Sequence, residues 1–281
     1  KTKRGLKLPG VASQPESDMK KAKITLRNAI QAAFFLLSLG ILFFVVTTGK
    51  KAIHNACPYA VICFGMNMKQ LLGISGQLFL AAVLLVFLIA ISTIFWGRKF
   101  CGWVCPLGSI QEFLFSFRSR KYKLKQQVPF YLERKLQPGK YLILLITSVL
   151  AFIGLAYIYI RLCPFYALSQ LPRLAIPGLI LTALILGAAF FIDRLWCRFL
   201  CPYAAFMNLF MLLGKAFGIK RMKVRRNPER CNDCGICSLY CPMNINLLDT
   251  GLVEDPNCIH CGICSQKCPK GALENNCKEE L

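Results

Sequence analysis

The sequence predicts an all-α polytopic membrane domain, four transmembrane helices in two tandem repeats, followed by a small C-terminal α+β domain. Three observations carry this. Four apolar stretches without a charged residue, Ala29 to Thr47, Gln77 to Trp96, Tyr141 to Ile160 and Ala175 to Ile192, each approach the roughly 20 residues that cross ~30 Å of hydrocarbon. A cysteine-proline block recurs after the second and the fourth stretch. The last sixty residues are polar and rich in cysteine. A composition of 56% hydrophobic residues in 281, with 21 phenylalanines, fits this class.

The charge pattern orients the spans. Lysine and arginine number eight before the first span, ten from Arg98 to Lys140 and nine from Arg194 to Arg230, against three and two in the intervening loops. By the positive-inside rule both termini face the cytoplasm of a prokaryotic inner membrane. The expected organisation is therefore a basic cytoplasmic segment over 1–28, a membrane domain over 29–220 and a cytoplasmic domain over 221–281. The first span lies too far inside the chain, and is too long, for a cleaved signal sequence. A formal charge of +22 reads as this topology signal; no basic-aromatic or helix-turn-helix pattern supports a nucleic-acid partner. Anionic lipid suits Lys1 to Arg27 and Arg118 to Lys125. Leu107 to Phe117 and Tyr203 to Ile219 are expected as amphipathic helices on the membrane surface, and the basic stretch Arg221 to Arg230 as a solvated linker.

Within the membrane domain, Arg98, Cys101, Cys105 and Pro106 align with Arg194, Cys197, Cys201 and Pro202. The outer loops repeat too, with Cys57-Pro58-Tyr59 matching Cys163-Pro164-Phe165. A C-x-x-x-C spacing puts two sulfurs on one face of a helical turn, and the following proline redirects the chain. Cys101, Cys105, Cys197 and Cys201 thus form a candidate four-thiolate iron-sulfur site at the inner face; burial as small apolar residues is the competing role. Cys57 and Cys163 are candidates for a second membrane cluster or for a disulfide between them, and Cys63 is a weaker candidate.

The C-terminal segment carries the plainest chemistry. Cys231, Cys234, Cys237, Cys241 and Pro242, then Cys258, Cys261, Cys264, Cys268 and Pro269, each follow the bacterial ferredoxin spacing, in which three thiolates converge on one 4Fe-4S cluster and the fourth ligates its neighbour. The expected sets are Cys231, Cys234, Cys237 and Cys268 for one cluster, and Cys258, Cys261, Cys264 and Cys241 for the other. Structural zinc uses two short pairs of cysteines per ion and fits this doubled run of four poorly. Cys277, in a polar tail, reads as a spare thiol.

With only His54 and His260 in the chain, paired-histidine haem lacks ligands, and neither a C-x-x-C-H nor a G-x-G-x-x-G motif exists. Electrons must then use iron-sulfur clusters or a bound quinone such as menaquinone or ubiquinone. Glu112, Asp193 and His54 are the candidates for proton handling at a quinone site, although pairing of the two acids with nearby arginines explains them as well.

Four spans, two C-x-x-x-C-P blocks at Cys101 and Cys197 and two ferredoxin motifs together resemble the NapH family of membrane iron-sulfur proteins, from about residue 25 onward. The resemblance implies an electron-transfer subunit of quinol dehydrogenase type, passing electrons from the quinone pool towards a reductase or ferredoxin-like partner within a membrane complex, in anaerobic respiration. The related NosR proteins share this core. The Cys57-Pro58 and Cys163-Pro164 elements depart from the family pattern and point to extra ligands. An assembly or regulatory protein like the copper reductases of oxidase assembly, and a module of an ion-translocating redox complex, are the alternatives; the second lacks the acidic residues that ion paths place inside spans.

Overall fold

The structure is a computed structural model that describes residues 26–48, 76–123, 128–155, 158–159, 161–164, 176–219, 221–249 and 251–277. It is mostly helical, with a small three-stranded sheet near its C-terminal end. Helices α1 (Leu26–Thr48), α2 (Gly76–Trp96), α3 (Lys99–Trp103), α4 (Pro106–Ser116), α5 (Phe130–Leu136), α6 (Gly139–Ile153), α7 (Ile176–Ala189) and α8 (Pro202–Ala216) precede the ferredoxin-type segment. Among the described residues one helical run, Phe130–Ile153, is both long and apolar enough to cross a membrane, with 24 residues and a mean hydropathy of 1.6.

Two boundaries differ from the expected ones. The third apolar run begins its helix eleven residues earlier, at Phe130, and stops at Ile153 instead of continuing to Ile160. It stops because Gly154 adopts φ 88° and turns its N–H onto the Ala151 carbonyl at 3.1 Å, a left-handed cap that L-residues with a Cβ rarely adopt. The fourth run ends at Ala189, and the chain then turns through Arg194, which sits at φ 50°.

Helices α4 and α8 each pack against two long helices. α4 packs against α1 and α7, while α8 packs against α6 and α2. Each therefore contacts the first long helix of its own half and the second of the other half. Ala204, Ala205, Met207, Asn208 and Met211 of α8 are all buried. The α2 contact is close: a Cβ added at Gly214 would lie 2.7 Å from Ile94 Cγ2. These residues fill space between helices.

The basic stretch expected as a solvated linker is also corrected. Lys223–Arg226 forms β1, the central strand of a sheet ordered β2-β1-β3, with β2 at Leu252–Val253 and β3 at Leu273–Cys277, both antiparallel to it. Val224 is 2% exposed, and buried Lys223 lays its stem inside while its ammonium reaches Glu254 Oε1 at 2.9 Å. Long basic side chains can cover apolar surface in this way, so composition alone hid the strand. Cys277, expected in a polar tail, is the last residue of β3. Short helices α9 (Ile236–Leu239) and α10 (Ile263–Lys267) complete the domain.

Candidate metal centre

The two ferredoxin loops use one backbone solution. Asp233 and His260, each preceding the second cysteine of its run, have φ 52° and 48°. Gly235 and Gly262, each following that cysteine, have φ 70° and 76° and cap α9 and α10. Alternating left-handed residues curl the chain so that successive thiols and backbone N–H groups face one centre, an anion-binding concavity.

Cys231, Cys234, Cys237 and Cys268 line one small cavity with Pro269 and Arg226. Cys241, Cys258, Cys261 and Cys264 line a second, with Val224, Met243, Ile245 and Ile259 among its apolar walls. The fourth cysteine of each run thus lies with the first three of the other. Burial pushes the Cys264 thiol up to about 12, and the neighbouring Cys261 and Cys258 act in the same direction. No group of three His, Cys, Asp or Glu side chains among the described residues is gathered tightly enough to grip a single metal ion. A 4Fe-4S cubane is a larger body with its thiolates spread around it, and two cavities each walled by four cysteines fit that donor set.

The C-x-x-x-C-P blocks fold as matched turns. Cys101 lies in α3 and Cys197 in a π-helical turn, Trp196–Leu200, and both are buried. The second cysteines do not share a helical turn with them, contrary to the expectation from spacing. Cys105 (φ −62°, ψ 115°) and Cys201 (φ −71°, ψ 110°) are extended, and Pro106 and Pro202 then open α4 and α8. Extended backbone before proline is what its ring requires. The structure nevertheless brings the four together. Burial pushes Cys105 up to about 12, and nearby Cys197 and Cys101 reinforce this; Cys201 rises by burial and by the same two neighbours.

The aligned arginines cross between the blocks. Arg194 Nη1 donates to the Cys101 carbonyl at 2.6 Å, and Arg98 Nη2 reaches the Cys197 carbonyl at 3.5 Å. Around them the pocket gathers cations: Arg98, Arg194 and Lys140 are fully buried, Arg198 is 2% exposed and Arg27 5%. Glu112 bridges Arg27 at 2.5 Å and Arg194 at 2.6 Å, and Glu133 pairs with Arg198. Burial alone would raise the Glu112 carboxyl, but the Arg194 and Arg27 guanidinium groups override it and bring it down to about 2. Asp193 goes the other way, up to about 7, because burial and the Glu112 charge outweigh its arginine neighbours. The ion pairs among the described residues engage neither Arg98 nor Lys140.

Both of those cations instead hold Asn257, the residue before Cys258. Arg98 Nη1 donates to its Oδ1 at 3.1 Å, and Lys140 Nζ donates to the same oxygen. The ferredoxin loop is also seated directly on the first block. Trp103 Nε1 donates to the His260 carbonyl at 3.1 Å, and a Cβ on Gly102 would come within 2.5 Å of the Ile259 carbonyl oxygen. Gly97, at φ 63°, gives the His260 ring its space. Cys261 is close enough to feel Arg27, Glu112 and Arg194.

Not every candidate joins these groups. Cys57, Cys63 and His54 lie outside the described residues, so the outer-loop readings have no structural counterpart. Cys163 follows the end of α6 and is half-buried. Sequence reasoning aligned Arg98 with Arg194 but missed their reach across the blocks, and it missed Lys140, Asn257 and Arg226 altogether. Lys140, the last cation before an apolar run, was counted as a topology signal only.

One family profile, described as a 4Fe-4S binding domain, matches the chain twice, at residues 78–125 and 174–220, and a second profile of the same description matches 254–274. The uncharacterized protein MJ0750 of Methanocaldococcus jannaschii is 32% identical over 88% of this chain and 93% of its own length. MJ0749 of the same organism is 30% identical over 71% of this chain and 73% of the relative. The putative electron transport protein YccM of Escherichia coli is 31% identical over 69% of this chain, which spans 56% of that relative. No solved structure matches. With 4Fe-4S binding domains at both cysteine-proline blocks and at the second ferredoxin loop, the chain belongs to the iron-sulfur protein family that includes MJ0750 and MJ0749.

Proposed function

We propose that this protein is a membrane-bound electron-transfer subunit that links the quinone pool, or a soluble donor, to a partner redox enzyme. In this reading the chain crosses the membrane four times as two tandem units, with both termini and the ferredoxin domain cytoplasmic. Cys231, Cys234, Cys237 and Cys268 hold one 4Fe-4S cluster, Cys258, Cys261, Cys264 and Cys241 a second, and Cys101, Cys105, Cys197 and Cys201 a third at the inner face. Such clusters exchange single electrons at potentials that the surrounding protein sets. The name of YccM, a putative electron transport protein, points the same way.

The observation that carries the reading is the charge of the inner pocket. Among the described residues fully buried Arg98 and Lys140 form no ion pair, beside four cysteines, and burial and the Arg98 charge draw the Lys140 ammonium down to about 7. A buried cation outside an ion pair is costly, and a cluster held by four thiolates is anionic, so these basic residues suit such a group. Arg194 and Arg98 orient the two turns through the first-cysteine carbonyls, while Trp103, Gly102 and Asn257 hold the Cys258 loop against them. The packing keeps the three cysteine sets in series.

The test is electron exchange between quinol and the ferredoxin clusters in anaerobic full-length protein. Reduction should be followed optically in the native chain and in the Cys101→Ser/Cys197→Ser double variant. Loss of exchange in the variant, with the ferredoxin spectrum intact, is expected. Equal rates in both proteins would contradict the inner pocket's part in the path.

A further inference from the structure

The two ferredoxin cavities differ in one charged residue. The cavity of Cys241, Cys258, Cys261 and Cys264 has apolar walls, and its only titratable lining group besides the thiols is His260. The cavity of Cys231, Cys234, Cys237 and Cys268 is lined by Arg226, an always-charged group. Arg226 Nη1 lies 3.7 Å from Cys231 Sγ. Its Nε–H is buried and has no hydrogen-bond partner among the described residues. A buried donor left unsatisfied is costly, and the four thiols beside it mark where its acceptor would sit.

Arg226 also has a carboxylate partner, Asp233, at 2.7 Å. Asp233 is 72% exposed while Arg226 is 15% exposed, so water screens the acid far more than the base. Asp233 Oδ1 nevertheless lies 3.5 Å from Cys231 Sγ, so the acid offsets part of the guanidinium's field at that sulfur.

We infer that Arg226 tunes the Cys231 cluster, its guanidinium completing its hydrogen bonding on a cluster sulfur and raising that cluster's potential. Cluster potentials follow net charge, hydrogen bonds to sulfur and solvent exposure. Reduction adds one negative charge to the cluster, and the adjacent guanidinium stabilises that reduced state. The inference rests on the two ferredoxin clusters of the proposed function.

The experiment is a redox titration of the full-length protein, followed by electron paramagnetic resonance, in the native chain, Arg226→Gln and Asp233→Asn. Arg226→Gln should lower the midpoint of a single one-electron wave of the ferredoxin pair and leave the other in place. The expected size is about a tenfold change in electron distribution, equivalent to about 59 mV. Asp233→Asn, which unmasks the guanidinium, should raise the same wave by a smaller amount. Arg226→Lys keeps the charge but not the planar donor and should fall between native and Gln, which gives a second reading if the Gln variant assembles poorly. Unchanged midpoints with all signals intact, or a shift of every wave together, would overturn the assignment. Absence of any two-cluster signal in the native protein would instead overturn the underlying reading.

Discussion

In the proposed function the ferredoxin cavities and the inner pocket hold the same kind of ligand by opposite means. In each ferredoxin loop three cysteines lie within seven residues, and two left-handed residues curl the backbone around one centre. The inner pocket draws two cysteines from each of two segments almost a hundred residues apart and surrounds them with five buried cations from several helices. One site is specified by local backbone geometry and the other by long-range electrostatics. It follows that the ferredoxin loops should tolerate remote substitutions, whereas the inner pocket should fail when a single buried charge is removed.

The largest effect is expected at Glu133, 3% exposed and the partner of Arg198. Glu133→Ala leaves a buried guanidinium uncompensated and should cost about 3–5 kcal/mol of stability, measured by denaturant unfolding in detergent. A loss below about 1 kcal/mol would mean that charge balance does not hold this region together.

Glu112 gives a pH-dependent version of the same test. Its folded pKa, about 2, lies below the ordinary carboxylate value of 4.5. Its stabilising contribution is therefore fully present above about pH 4.5 and is lost as pH falls towards 2. Glu112→Gln should lower stability at neutral pH by roughly 2 kcal/mol and flatten the acid limb of the stability curve. An unchanged acid limb would place the pH dependence elsewhere.

Gly102→Ala probes the contact between the two regions. The added methyl meets the Ile259 carbonyl oxygen at 2.5 Å, and overpacking of this kind costs about 1–3 kcal/mol. Amide hydrogen exchange should rise in the Cys258 loop and stay unchanged in the Cys231 loop. Uniform change across both loops would show that the seat does not matter. At the small end, Lys215 and Glu254 are 70% and 49% exposed, so Lys215→Ala should alter stability by less than about 0.5 kcal/mol.

This contrast also explains what the sequence made legible. The ferredoxin cysteine sets were readable because spacing along a short loop dictates which sulfurs meet, and the crossed fourth cysteines follow from the doubled run. The inner four were readable only through the repetition of Arg98-Cys101-Cys105-Pro106 at Arg194-Cys197-Cys201-Pro202. Lys140 and Asn257 were not readable, because they meet across 117 residues and neither belongs to a spaced motif. The strand at Lys223–Arg226 was hidden by its charges, since a period-two pattern needs more than four residues to stand out. The early stop of α6 at Gly154 was hidden because a glycine inside an apolar run reads equally as interior or cap.

The central claim, that the inner pocket is a third cluster site, is tested most directly by iron and acid-labile sulfide per chain in anaerobically purified full-length protein, beside the Cys101→Ser/Cys197→Ser variant. The account predicts about twelve irons in the native chain and about eight in the variant. About eight in both would contradict it, leaving the buried cations around Cys101 and Cys197 without the anion for which they are arranged.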